Sequence, residues 1–152
     1  MINFEVFFDG ACEPKNPGGH LGYGYLIYQD GDYILSASFY EPKSLNNTNN
    51  VAEYKACLEA LHRLLQYINI HSITEYSVSA FGDSMLVVKQ MNGVWNINSG
   101  AYKEFALKTK SLIEDFENIK FNWIPREQNQ DADDMSKQEL KKRGVEENKW
   151  QK

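Results

Sequence analysis

The stretch Phe4-Glu5-Val6-Phe7-Phe8-Asp9-Gly10 alternates, with Phe4, Val6 and Phe8 separated by Glu5, Phe7 and Asp9. That is the period of a β-strand with one well-buried face. The strand is predicted to stop at Asp9-Gly10, because the Gly/Pro-rich run Ala11-Cys12-Glu13-Pro14-Lys15-Asn16-Pro17-Gly18-Gly19 follows. Strands seldom hold Asp, whose side chain competes for backbone hydrogen bonds and resists burial. An Asp ending so apolar a strand is either a turn-former or a site residue, and Asp9 alone does not decide between the two.

Working outward, residues 21–28 read as a second strand. Asp30-Gly31 is a tight-turn signal, so residues 33–40 are predicted to return antiparallel. Leu45-Asn46-Asn47-Thr48-Asn49-Asn50 is rich in capping residues, with Asn49 or Asn50 as the expected N-cap. The helix after it is predicted to run to residue 67 or 68, with Tyr54, Cys57, Leu58, Leu61, Leu64, Leu65 and Ile68 as its apolar stripe. Residues 76–82 read as a fourth strand ending at Asp83. Ser84 caps a helix to about Met91, and Asn92-Gly93 breaks it. A further helix is predicted over 100–116, with Phe105, Leu107, Leu112 and Ile113 as its apolar residues. The fifth strand spans 119–124 and is stopped by Pro125. A polar loop over 126–130 leads to a last helix from about Asp131 to Arg143, ended by Gly144. The order βββαβααβα implies an α/β domain: an antiparallel meander followed by helix-connected strands. Ligands in such sheets sit at strand ends and helix N-termini.

The length of 152 residues suits one domain with a real core. It is predicted as residues 1–144, followed by a polar, frayed tail at 145–152. No segment has the long apolar run of a membrane helix, and the first strand begins too early for a signal peptide. Cys12 and Cys57 lack metal-ligand spacing and are expected to be reduced, as in a cytoplasm. The net charge of −5, with a pI near 5.2, argues against a protein that coats nucleic acid electrostatically. It leaves room for one that holds nucleic acid through hydrogen bonds and divalent cations.

Four acids carry the chemistry. Glu53 is placed in the first turn of its helix, on the sheet-facing side with Cys57 and Leu64; it is a dipole partner or a site residue. Asp83 repeats the pattern of Asp9 and is a capping Asp or a site residue. Asp133 lies within Asp131-Ala132-Asp133-Asp134, where helix-start acids are routine. Together, two strand-end and two helix-start acids can converge on one sheet edge. Such a cluster raises its own pKa values and costs stability unless compensated. Carboxylate and water ligands suit Mg²⁺ or Mn²⁺, and two such ions suit phosphodiester hydrolysis, one activating the attacking water and one stabilising the leaving oxygen. Competing chemistries are poorly supplied. His20, His62 and His71 form no metal-like pair, and there is neither a nucleophile elbow nor a Walker-type loop.

The chain resembles the type 1 ribonuclease H family in its compact form. The matching pieces are Phe8-Asp9-Gly10-Ala11 with Asn16-Pro17-Gly18-Gly19; Thr48-Asn49-Asn50-Val51-Ala52-Glu53; Gly82-Asp83-Ser84; and Ile124-Pro125-Arg126 through Asn129 to Ala132-Asp133-Asp134. The resemblance implies a ribonuclease H-like α/β fold with a five-stranded mixed sheet, three antiparallel strands then two parallel, flanked by helices. It implies Asp9, Glu53, Asp83 and Asp133 as ligands of two Mg²⁺ ions, with Mn²⁺ as a substitute. It also implies endonucleolytic cleavage of the RNA strand of RNA–DNA hybrids, giving 5′-phosphate and 3′-hydroxyl ends; the protein is expected to be a monomer. Asn16, Asn49 and Asn50 are similar to residues that reach the hybrid's minor groove, Thr48 to a DNA-phosphate ligand, and Arg126 to a residue near the scissile phosphate. Trp95 stands near the family aromatic that lies against the DNA strand; a core or edge Trp is the other reading.

Three departures stand out. The segment 92–102 lacks the basic protrusion of many members, Met85 replaces a Gln, and the loop Arg126-Glu127-Gln128-Asn129-Gln130 carries no His. The basic end formed by Lys137, Lys141, Lys142, Arg143, Lys149 and Lys152 is either a solvated helix face or a substitute phosphate contact. Two alternatives remain open from sequence: a non-cleaving hybrid- or RNA-binding module, and a resolvase- or integrase-like nuclease acting on DNA.

Overall fold

In the computed structural model, which describes residues 1–147, the alternating N-terminal stretch forms the centre of a five-stranded sheet. Its elements are β1 (Ile2–Glu13), β2 (His20–Gln29), β3 (Asp32–Glu41), α1 (Asn49–Ile70), β4 (Tyr76–Gly82), α2 (Met85–Met91), α3 (Lys103–Ile113), β5 (Ile119–Trp123) and α4 (Gln130–Lys142). Arg126–Gln128 forms a single 3₁₀ turn between β5 and α4. The strand order is β3-β2-β1-β4-β5. The first three strands form an antiparallel meander, and β4 and β5 extend it in parallel from β1. The fold class and element order expected from sequence hold.

Phe4, Val6 and Phe8 are fully buried on the face that packs on α1, as the alternation requires. On α1 the buried set includes Glu53, Cys57, Ala60, Leu61 and Leu64. α4 covers part of the other face. Gly22 and Gly24 make room for it: a Cβ at Gly24 would come within 2.8 Å of Met135 Cβ, and one at Gly22 within 2.6 Å of Leu140 Cδ1. These two glycines seat α4 against the strand beside Asp9.

Several boundaries differ from expectation. β1 does not stop at Asp9-Gly10 but runs to Glu13, because β2 pairs with it as far as Glu13↔His20. Only the parallel partner lets go early, at Phe7↔Phe81. Asp9 thus lies just past the split between β1 and β4. The N-cap of α1 is Thr48, whose Oγ1 accepts from Val51 N at 3.1 Å, rather than Asn49 or Asn50. That shift places Glu53 beyond the first turn. α3 is shorter than predicted, and Leu107 on it faces solvent, while Ala106, Thr109 and Leu112 are buried. Among the described residues, no helix is long and apolar enough to cross a membrane.

Candidate active site

The split between β1 and β4 opens the edge at which the acids meet. Asp9 comes from β1, Asp83 from the end of β4, and Glu53 from the second turn of α1. One oxygen of each lies within 4.8 Å of the others. Asp9 is 3% exposed and Glu53 8%. Glu53 Oε2 and Asp83 Oδ2 are buried without a hydrogen-bond partner. Unpartnered buried oxygens are uncommon, and these two belong to a set of three acids close enough together to share one cation.

Asp133 stands at the edge of this set. It lines the same cavity of about 80 Å³ as Asp9 and Glu53, but its Oδ1 lies 3.3 Å from Lys137 Nζ. Lys137 in turn meets Glu147 at 2.7 Å. Arg126 and Asn49 complete the cavity wall.

The electrostatics are those of crowded acids. Burial, with the charges of Asp83 and Asp133, outweighs a hydrogen bond from Glu53 and pushes Asp9 up to about 8. Burial first, then the Asp9 charge, drives Glu53 well above the ordinary carboxylate range. Burial also raises Asp83, although the Arg126 charge and a hydrogen bond from Asn129 act against it. All three shifts favour the protonated acid.

The expected substrate residues divide. Asn49 Oδ1 accepts from Cys12 N at 2.8 Å, and Asn49 N donates to Asn16 Oδ1 at 3.2 Å, so these bonds tie the end of β1 and the β1–β2 loop to the start of α1. Asn50 is exposed beside them. Trp95 is 45% exposed and does not line the acid cavity. It sits on the short α2–α3 connection, anchored by Gln90 Nε2 donating to Asn96 O at 2.9 Å and by Trp95 N donating to Lys89 O at 3.2 Å. Of the basic end, Arg143 lies over the Tyr40 ring and both Lys142 and Arg143 pair with Glu139, while Lys137 belongs to the acid site. Lys149 and Lys152 lie outside the described residues. Of the tail expected to fray, residues 145–147 fold back on α4, with Val145 N donating to Leu140 O at 3.0 Å.

Sequence reading missed three contributors. Asn129, 1% exposed, donates from Nδ2 to Phe8 O at 3.0 Å and reaches Asp83, so it ties both parallel strands to the start of α4. Its position four residues before Asp133 was the available signal. Lys137, four residues after Asp133, had the same signal. Trp123 Nε1 donates to Asp83 O at 3.1 Å, which no sequence signal shows.

The sheet order and the acids at the β1/β4 split define a ribonuclease H-like nuclease fold. The chain belongs to the reverse transcriptase-like family, whose model matches residues 7–139, and its neighbours among solved structures include type 1 ribonucleases H. It is 28% identical over 146 residues to the uncharacterized protein YpeP of Bacillus subtilis, covering 93% of this chain and 60% of YpeP. It is 28% identical over 135 residues to ribonuclease HI of Halobacterium salinarum, covering 89% of this chain and 63% of that one. This chain thus spans about three fifths of the length of either relative. Among solved structures, LC11-RNase H1 in complex with an RNA/DNA hybrid superposes with a TM-score of 0.77 at 30% identity, covering 91% of this chain and 95% of that one.

Proposed function

We propose that the protein is a divalent-metal-dependent endoribonuclease that cuts the RNA strand of RNA–DNA hybrids. The observation that carries this reading is the pair of buried, partnerless oxygens, Glu53 Oε2 and Asp83 Oδ2, inside the three-acid set. Such oxygens are costly without a partner, and a hard cation is the partner they suit. The all-oxygen donor set fits Mg²⁺, with Mn²⁺ as a substitute. Asp9, Glu53 and Asp83 would hold the metal, and Asp133 would complete the set from α4. When bound, two such ions supply Lewis acidity to the attacking water and the leaving 3′ oxygen, which gives 5′-phosphate and 3′-hydroxyl ends.

The remaining roles fall to the chain's own side chains. Arg126 lines the cavity and is the cation for the scissile phosphate. Asn49 has its Oδ1 committed to Cys12 N, which leaves its Nδ2 to donate into the minor groove alongside Asn16 and Asn50. Contacts of that kind read 2′-hydroxyls irrespective of sequence. Thr48 caps α1 through a lone pair, so its O–H is left to donate to a DNA-strand phosphate. Trp95 offers an anchored aromatic surface to the same strand. LC11-RNase H1 was solved with an RNA/DNA hybrid, which supports the substrate class. The protein is read as a cytoplasmic monomer; two buried, unpaired cysteines suit a reducing compartment.

The test uses labelled RNA–DNA, RNA–RNA and DNA–DNA duplexes, with and without Mg²⁺ or Mn²⁺. Cleavage of the RNA strand of the hybrid alone, and only with a divalent ion, is expected. Cutting of DNA–DNA duplex would favour a resolvase-like activity, and hybrid bound but left intact in both metals would make the protein a binding module.

Asn129→Ala is expected to destabilise the protein by about 1–3 kcal/mol, the cost of stranding a buried acceptor at Phe8 O. Denaturant titration measures it. A midpoint unchanged from wild type would show that Phe8 O finds another donor and that Asn129 does not join the strands to α4.

A further inference from the structure

The C-terminal end of α4 turns the chain back towards the acids. Gly144 has φ +71°, Gly144 N donates to Lys141 O at 3.1 Å, and Val145 N donates to Leu140 O at 3.0 Å. This is the double bond of a Schellman stop. It reverses the chain along the helix, so that Glu147 arrives beside Lys137. Lys137 shares a helix face with Asp133, four residues earlier. Its side chain is only 14% exposed, and its ammonium lies between Asp133 at 3.3 Å and Glu147 at 2.7 Å. All three side chains line the cavity of Asp9 and Glu53.

An ion pair four residues apart on a helix is ordinarily a surface feature of little energetic weight. This one differs in two respects: its lysine side chain is mostly covered, and its anions line the acid cavity. We propose that Lys137 and Glu147 are positioning residues that set the cation affinity of the site. Lys137 holds Asp133 at the cavity edge and offsets its charge. Glu147, delivered by the folded-back C-terminal segment, offsets Lys137 in turn. The three groups together present one net negative charge to an incoming dication. Removing the ammonium presents two, and neutralising Glu147 presents none. The two substitutions therefore act with opposite signs, although both cut the same tether.

The inference rests on the metal-centre reading, and the experiment separates the two. Mn²⁺ alone is titrated calorimetrically into the full, metal-free chain, without nucleic acid. At a few ångströms, one unit of charge is expected to change dication affinity by roughly tenfold in a half-wet site. Lys137→Met should therefore bind Mn²⁺ more tightly by about that factor, and Glu147→Gln more weakly, by several-fold to about tenfold. The double variant should return close to wild type, as should Lys137→Arg, which keeps the charge. Shifts in the same direction, or none in either variant, would overturn the proposal and leave the pair as a staple for residues 145–147. If Lys137→Met fails to fold, Glu147→Gln still decides, because Mn²⁺ binding as tight as wild type or tighter overturns the idea. Asp9→Asn is the control on the underlying reading. If it binds Mn²⁺ like wild type, or if wild type binds none, the metal centre itself is wrong and the inference falls with it.

Discussion

Asp9→Asn is expected to lower hybrid-cleavage kcat by about a hundred- to a thousandfold, the loss seen when one preorganised electrostatic partner is removed from a reaction centre. The same change should stabilise the metal-free protein near neutral pH. Burial, aided by the Asp83 and Asp133 charges, holds Asp9 up near 8 against an ordinary 3.8. A folded-state pKa above the unfolded value gives stability that is complete below the unfolded value and is lost as pH rises through the folded one. The metal-free wild type should therefore weaken steadily from about pH 4 to pH 8. Glu53, raised by burial and by the Asp9 charge, adds to the same trend. Asn does not titrate, so the variant should lose less over this window, by a few kcal/mol at its alkaline end on the scale of about 1.4 kcal/mol per pKa unit. Mg²⁺ should restore wild type there, since a ligand of the folded state stabilises it. Thermal melts in chelator across this range, with single-turnover cleavage assays, measure both effects. Near-wild-type cleavage by the variant would remove Asp9 from the site.

The fold was legible wherever a signal was local. Asp30-Gly31 was read as a tight turn, and both residues have positive φ, at +50° and +85°. β4 and α2 were legible at both ends, because an alternating run and a Ser cap bound them. The failures share one cause. Asp9-Gly10 read as a stop, yet β2 keeps pairing with β1, and only the three-dimensional register shows this. The cap of α1 had to be chosen among five neighbouring capping residues that local chemistry hardly distinguishes. Distant partners made the choice. Asn47 Nδ2 is taken by Gly19 O and Pro42 O, and Asn49 Oδ1 by Cys12 N, which leaves Thr48 to cap.

The same division runs through the site. Asp9, Glu53 and Asp83 were visible because carboxylates within or directly after apolar strands and on a sheet-facing stripe are out of place. Their convergence within 4.8 Å is the geometry expected of them. Asp133 was also visible, but its pairing with Lys137 was not, since Lys137 read as part of a basic helix end. Glu147 read as tail. Its arrival at the cavity depends on Gly144 reversing the chain, a consequence of a helix stop whose direction sequence does not specify.

Gly10→Ala is expected to cost about 3 kcal/mol or more, in the range of severe overpacking. Gly10 lies between Asp9 and the rest of β1, facing α1. A Cβ there would collide with the Ala52 carbonyl carbon and approach Ala52 O at 2.5 Å and Glu53 N at 2.6 Å. All three are backbone atoms of the helix, so no flexible side chain can swing aside. The methyl group can be accommodated only if α1 moves away from β1. For a domain of this size, that loss should lower Tm by about 6–12 °C. The site should suffer as well, because the displaced residues carry Glu53 away from Asp9. Mn²⁺ binding should weaken even at temperatures where the variant is fully folded, a consequence that a remote destabilising substitution would not have. Denaturant titration and calorimetry on the one variant therefore test two links: that this glycine sets the β1–α1 spacing, and that the spacing sets the site. A stability within about 1 kcal/mol of wild type would refute the first, since ordinary surface changes fall within about 0.5 kcal/mol. Weakened stability with unaltered Mn²⁺ affinity would refute the second, and would mean that Asp9 and Glu53 can meet without a close approach of strand and helix.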